Sequence, residues 1–276
     1  MIDINKFFDK IIVLSPERNI ARRRHITNHF HERGITNWQF FTAMDYKFIT
    51  KEVRDCLHHA GYLAESGAPY LPLPRTEISC RLSFTSMLIH ARSECLDRIL
   101  YVEDDIIFNE DYAETFDQII SHVPDDWDTI HFHSHQKVGS GEYNDVYRQK
   151  INKYIYKGFS EGASSLCIGF TKRCIDYMIG KSFPIHGGID GLTNTASGNW
   201  FKDNDEYVAY ISTNFMCMDF KEAAAGGAID IPEELYSSHK GLSPETDAEK
   251  HEGAKKRYRY LLPEKLPPLP SIEDEE

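Results

Sequence analysis

The segment Arg98-Ile99-Leu100-Tyr101-Val102-Glu103-Asp104-Asp105-Ile106-Ile107-Phe108 constrains the fold more than any other part of this 276-residue chain. An unbroken apolar run reads as a strand buried on both faces, and such strands belong to parallel sheets covered by helices. Three consecutive carboxylates interrupt the run and apolar residues resume at once, which argues against a merely solvated acidic turn, the alternative reading. The acids fall where the strand ends, and the carboxyl ends of parallel strands are where open α/β sheets bind ligands. Glu103 and Asp105, at alternate positions, can project to one side of an extended chain and converge on one cation. Oxygen ligands select a hard divalent ion, Mg²⁺ or Mn²⁺.

The rest of the chain supplies a sheet around that strand. Lys10-Ile11-Ile12-Val13-Leu14 is an apolar run closed by Ser15-Pro16, and Arg18 to Gly34 is helical, with Ile20, Ile26 and Phe30 predicted inward. Trp38 to Thr42 resumes β character, which makes a βαβ unit and a parallel sheet. Tyr46 to Pro74, with a helix over Thr50 to His59, reads as an excursion over the active face. Thr76 is expected to cap a helix whose inward stripe is Ile78, Leu82, Thr85, Ile89 and Leu96. Asn109-Glu110-Asp111 opens a further helix that Pro124 ends. Trp127 to His133, Ser165 to Phe170 and Tyr207 to Ile211 read as strands, and Thr171 as the cap of a helix carrying Ile175, Met178 and Ile179. The fold expected is α/β, a mostly parallel sheet flanked by helices, as one domain over residues 1–262. Residues 263–276 form a Pro-rich acidic tail that need not fold.

Charge narrows the function. The chain carries 31 Lys+Arg against 43 Asp+Glu, a formal net charge of −12. Nucleic-acid and anionic-membrane binders need a cationic footprint, so neither partner is expected. A phosphate ligand would need a local basic cluster or a metal. Met1 to Lys6 lacks the basic flank and apolar core of a signal peptide, and no stretch approaches the roughly 18 apolar residues of a membrane span. The six cysteines show no Cys-x-x-Cys, so reduced, mostly buried thiols and a cytoplasmic location are expected.

Thr76-Glu77-Ile78-Ser79-Cys80-Arg81-Leu82-Ser83, then a helix, then Ile99 to Asp105, resembles glycosyltransferase family 25, the lipooligosaccharide and collagen-type galactosyl- and glucosyltransferases. That family shows Glu-x-Gly-Cys-x-x-Ser-His ahead of Leu-Glu-Asp-Asp. Ile12 to Arg18 with Arg22 and Arg23 look like its opening strand and arginine-bearing helix, and Thr42-Ala43-Met44-Asp45 like its Ala-x-Asp segment. Ser79 stands for the usual Gly and Phe84 for the usual His, so whatever that His does is absent or supplied elsewhere.

The resemblance implies a Rossmann-like GT-A fold and a metal-dependent, inverting transfer of galactose or glucose from a UDP-sugar to a glycan or protein hydroxyl. Glu103 and Asp105 would hold Mn²⁺ or Mg²⁺, completed by His239, with His251 as its rival. The donor would meet Leu14, Ser15, Arg18, Arg22, Ala43, Asp45, Glu77, Ser83, Glu103, Asp104 and Lys240. Asp190, in the glycine-dense stretch His186 to Gly191, is the candidate base for the acceptor hydroxyl. Each residue also has a plainer reading: Arg18 and Arg22 as a basic helix face, Glu77 and Ser83 as local hydrogen-bonding groups, and Asp190 as a turn residue. Two other functions stay open. His131, His133 and His135 alternate along one strand and, with Glu103, suit a metal hydrolase; a homologue that binds a nucleotide sugar without transferring it is the second.

Overall fold

In the computed structural model, the described residues are 1–63, 73–134, 149–158, 165–189, 192 and 208–220. They begin with the short helix α1 (Ile4–Phe7) and strand β1 (Lys10–Pro16), whose centre is wholly buried. Helix α2 (Ile20–Glu32) returns the chain to β2 (Trp38–Ala43), and Gly34, at φ 68°, makes the left-handed turn between them. A 3₁₀ turn (Tyr46–Phe48) and α3 (Lys51–His59) follow; the Thr50 hydroxyl accepts the Val53 N–H and so caps α3. Then come α4 (Arg75–Ser93), β3 (Arg98–Glu103), β4 (Ile106–Phe108) and α5 (Tyr112–Ile120). The remainder is β5 (Thr129–His131), β6 (Gln149–Lys150), β7 (Ile155–Lys157), β8 (Cys167–Thr171), α6 (Lys172–Gly180), β9 (Ala209–Ser212) and β10 (Cys217–Asp219).

Among the described residues, eight strands join in the order β2-β1-β3-β8-β5-β9-β7-β6. β1 pairs in parallel with β2 and β3, and β5 with β9; β8 and β7 run against their neighbours. Six of the eight therefore point one way, the mostly parallel sheet that the sequence leads one to expect. Alternation along the strands feeds two cores. Ile11, Val13, Leu100, Val102, Ile130 and Phe132 meet α1, α2 and α5 through Ile4, Ile26, Phe30 and Phe116. Ile12, Ile99, Tyr101, Ile168 and Phe170 meet α4 and α6 through Phe84, Leu88, Ala91, Ile175 and Met178. Helices thus cover both faces, as a βαβ-built sheet requires.

Three local expectations are corrected. Ile20 is 73% exposed and Ile89 51% exposed. In α4 the covered stripe runs through Ile78, Arg81, Phe84, Thr85, Leu88 and Ala91, because that face, and not the one bearing Ile89, meets the sheet and α6. The α4 N-cap is Pro74, two residues before Thr76, and it makes no side-chain cap bond. Thr129 to Ser134, His131 and His133 among them, are buried throughout, since both faces of the sheet are covered. All six cysteines are free thiols, and three of them (Cys167, Cys174 and Cys217) are buried. No helix among the described residues is long and apolar enough to cross a membrane. Residues 263–276, expected as a tail, lie outside the described residues.

Candidate active site

Parallel register brings the site together. Leu14 of β1 stands opposite Glu103 of β3, and Ser15 and Pro16 stand opposite Thr42 and Ala43 of β2. Leu14, Ser15, Ala43 and Glu103 thus share one edge, the carboxyl ends of three adjacent parallel strands, although up to 89 residues separate them in the chain.

Asp104 is the knot of that edge. It is 5% exposed, yet a charged group buried this far needs partners, and it has three. The Ser15 hydroxyl donates to its Oδ2 at 2.7 Å and Asn19 Nδ2 to the same oxygen at 2.8 Å. Arg22 Nη1 donates to Oδ1 at 2.6 Å and lies 3.4 Å from Asp105 Oδ2. Arg22 is itself 4% exposed and rests over the Phe220 ring. β1, its following turn, α2 and the β3–β4 turn are therefore fastened to one carboxylate.

Glu103 is held separately. The Ser165 hydroxyl donates to Oε1 at 2.5 Å and the Tyr101 hydroxyl at 3.3 Å, while the Glu103 N–H donates to the Leu166 carbonyl. On the β2 side, Arg18 Nε pairs with Asp45 Oδ2 at 2.8 Å and its guanidinium lies over Tyr46. Asp45 also accepts the Lys47 N–H and so starts the 3₁₀ turn. Ser83, buried on α4, accepts the Met44 N–H at 2.7 Å and donates to the Ser79 carbonyl, which fixes the loop carrying Asp45. Glu77 sits in the first turn of α4, and a Cβ on Gly188 would come within 3.7 Å of its Cγ. Asp190, His239, Lys240 and His251 lie outside the described residues, as does His135.

Glu103 and Asp105 supply hard carboxylate oxygens, the donor type that suits Mg²⁺ or Mn²⁺, ions that keep positions for water and phosphate. Among the described residues, no three His, Cys, Asp or Glu side chains form a metal-binding group by themselves. This includes Glu103, His131 and His133, the set on which the hydrolase reading depends. His133 instead packs on the Phe215 ring.

Asn19, Ser165, the Tyr101 hydroxyl and Arg81 escape the sequence reading. Asn19 lies between the two arginines singled out, so a reading of the whole turn would reach it. Ser165 has no local signal, because its partner is 62 residues away.

Residues 8–177 match the family described as "Glycosyltransferase family 25 (LPS biosynthesis protein)". No curated protein matches the chain. Among solved structures, one similar chain is a glycosyltransferase involved in glycosylation of the major capsid of PBCV-1, at 11% identity and a TM-score of 0.30. The likeness covers 60% of this chain and 62% of that one. Another is mouse xyloside xylosyltransferase 1 in its apo form, at 13% identity and a TM-score of 0.29, covering 67% of each chain.

Proposed function

Because the chain belongs to glycosyltransferase family 25, we infer that it transfers a hexose, galactose or glucose, from a UDP-sugar to a glycan or protein hydroxyl with inversion. One observation carries the reading: the acidic triplet closes β3 beside the ends of β1 and β2, locked there by Ser15, Asn19 and Arg22. That is the edge at which an α/β sheet takes a nucleotide.

Each residue then has a task. Asp104 holds the main chain between Glu103 and Asp105, the two residues that would hold Mn²⁺ or Mg²⁺ together with His239. When bound, the ion supplies positive charge to the diphosphate leaving group. Arg22 keeps the triplet from self-repulsion. Arg18 and Asp45, with Leu14, Ser15 and Ala43, receive the nucleoside; Ser83 fixes their loop through Met44. Glu77 faces the donor sugar and Lys240 a phosphate. Asp190 takes the proton of the acceptor hydroxyl as its oxygen attacks the anomeric carbon.

Calorimetric titration with UDP, UDP-galactose and UDP-glucose, with and without Mn²⁺, tests the reading. Binding that needs the ion, and transfer lost in Asp105→Asn with the fold intact, is the expected result. Asp190→Asn should keep donor affinity and lose kcat. Full turnover of Asp105→Asn, or turnover in EDTA, removes the metal role; UDP binding with no transfer to any acceptor makes the chain a binding homologue.

A further inference from the structure

Arg81 is 2% exposed and has no carboxylate partner among the described residues; burial pushes its guanidinium down to about 10. Burying such a group is costly unless its hydrogen bonds accomplish something. Its Nη1 donates to the Gly188 carbonyl at 3.2 Å and its Nη2 to the Lys181 carbonyl at 3.4 Å. One buried cation therefore grips both ends of the segment 181–188. Lys181 is also the C-cap of α6, where a positive charge meets the negative end of the helix dipole.

The middle of the segment is fixed as firmly. The Thr85 hydroxyl donates to Ser182 Oγ, which donates to the Met178 carbonyl. The Ile185 N–H donates to the Tyr62 carbonyl at 2.7 Å, and Leu63 bridges to Ile185. Ile185 is wholly buried with Ile49, Leu63 and Ile78.

This framework holds two large aromatic rings in water. Tyr62 is 48% exposed and Phe183 39% exposed, and their ring centroids lie 5.2 Å apart at 67°. A core would cover such rings; here the segments that carry them are anchored and the rings are left open. Leu63, the neighbour of Tyr62 in the chain, belongs to the cluster that includes Ile78, next to Glu77, and Phe183 belongs to the segment that ends at Gly187 and Gly188. A Cβ on Gly187 would meet nothing within 4 Å, so space is open there.

We propose that Tyr62 and Phe183 form a stacking platform for a pyranose ring of the acceptor, held in shape by Arg81. A pyranose presents a face of C–H groups, which the negative face of an aromatic ring attracts. A rigid platform binds with little ordering cost, which is what the buried clamp provides. The assignment to the acceptor rests on the proposed glycosyl transfer; the sugar site itself does not.

The test is saturation-transfer NMR on the full chain with methyl β-galactopyranoside, methyl β-glucopyranoside and methyl α-mannopyranoside. At least one should receive saturation on its C–H face, and Tyr62→Ala or Phe183→Ala should weaken its binding about tenfold. Phe183→Tyr should restore it. Thermal stability and UDP affinity should be unchanged in all three, since both rings are exposed and neither is among the residues that hold the acidic triplet. No binding of any probe to the native chain, or equal binding by the alanine variants, overturns the platform. Pyranoside binding lost in the variants by a chain that never binds UDP would instead overturn the transferase reading and leave the platform standing.

Discussion

Arg22 Nη1 lies 2.6 Å from Asp104 Oδ1, and both side chains are nearly sealed from water. The pair joins the first turn of α2 to the end of β3, so it belongs to the folding problem as much as to ligand binding. Ser15 and Asn19 satisfy the second carboxylate oxygen, which makes the desolvation tolerable.

Removing one partner leaves the other charge buried and uncompensated. Arg22→Ala and Asp104→Ala should each lose about 3–5 kcal/mol in denaturant unfolding. Asp105→Asn, which keeps the shape of the turn, should lose much less. A loss under about 1 kcal/mol for Asp104→Ala would mean that the knot does not hold the strand ends together.

Seven residues on, the same face of α2 carries His29, whose Nε2 accepts the Phe108 N–H at 2.8 Å. Burial pushes this imidazole down to about 4, helped by neighbouring His25 and Arg33. The unfolded imidazole titrates near 6.5, so between those values only the unfolded chain takes the proton. Stability is therefore complete above about pH 6.5 and declines as pH falls toward 4, by about 3 kcal/mol for this group. His25, also lowered by burial, adds in the same direction. Unfolding measured at pH 7 and pH 4.5 should show the decline, and His29→Gln, which retains an acceptor, should flatten it.

Much of this was legible in the chain because periodicity and punctuation are local. The run Lys10 to Leu14, Gly34 as a stop, Thr171 as a cap, and the acids closing Val102 all stand where the pattern places them. Ile20 and Ile89 failed because a stripe three or four residues wide has two edges, and only a tertiary partner decides which edge is covered. Pairing was less legible still. β8 lies between β3 and β5 and runs against both, and β10 pairs with Ile106–Phe108, a strand that composition reads as the flank of an acidic turn. Tyr101 apart, the side-chain partners of Glu103 and Asp104 come from 62 to 89 residues away, beyond any local signal.

Antiparallel β8 sits at the centre of the sheet with Gly169 at its middle, opposite both Leu100 and Ile130. A Cβ at Gly169 would approach the Phe8 ring to 3.2 Å and the Phe132 ring to 3.3 Å. Both rings are buried, and Phe8 is wedged among Phe7, Phe116 and Phe132, so neither can yield easily. Gly169→Ala should cost roughly 1–3 kcal/mol by overpacking. A variant as stable as the native chain would show that the aromatic layer under the sheet has slack.

Phe84 occupies the place at which the family pattern has His, and its surroundings show what an imidazole would meet here. The ring is wholly buried between α4 and the sheet, edge-on to Tyr101 at 5.1 Å and to Phe170 at 5.8 Å. Restoring the family residue by Phe84→His would give up those contacts and bury a polar ring among apolar ones. The cost should be about 2–4 kcal/mol, whereas Phe84→Leu, which stays apolar, should cost less. Because Tyr101 also donates to Glu103, loosening this contact should reach the site indirectly; on the proposed metal-dependent reading it raises the metal concentration needed for UDP binding before it changes UDP affinity at saturating metal. Unfolding curves and UDP titrations on the two variants separate these effects. A Phe84→His protein of native stability with faster turnover would mean instead that position 84 reaches the cleft and takes part in the chemistry there.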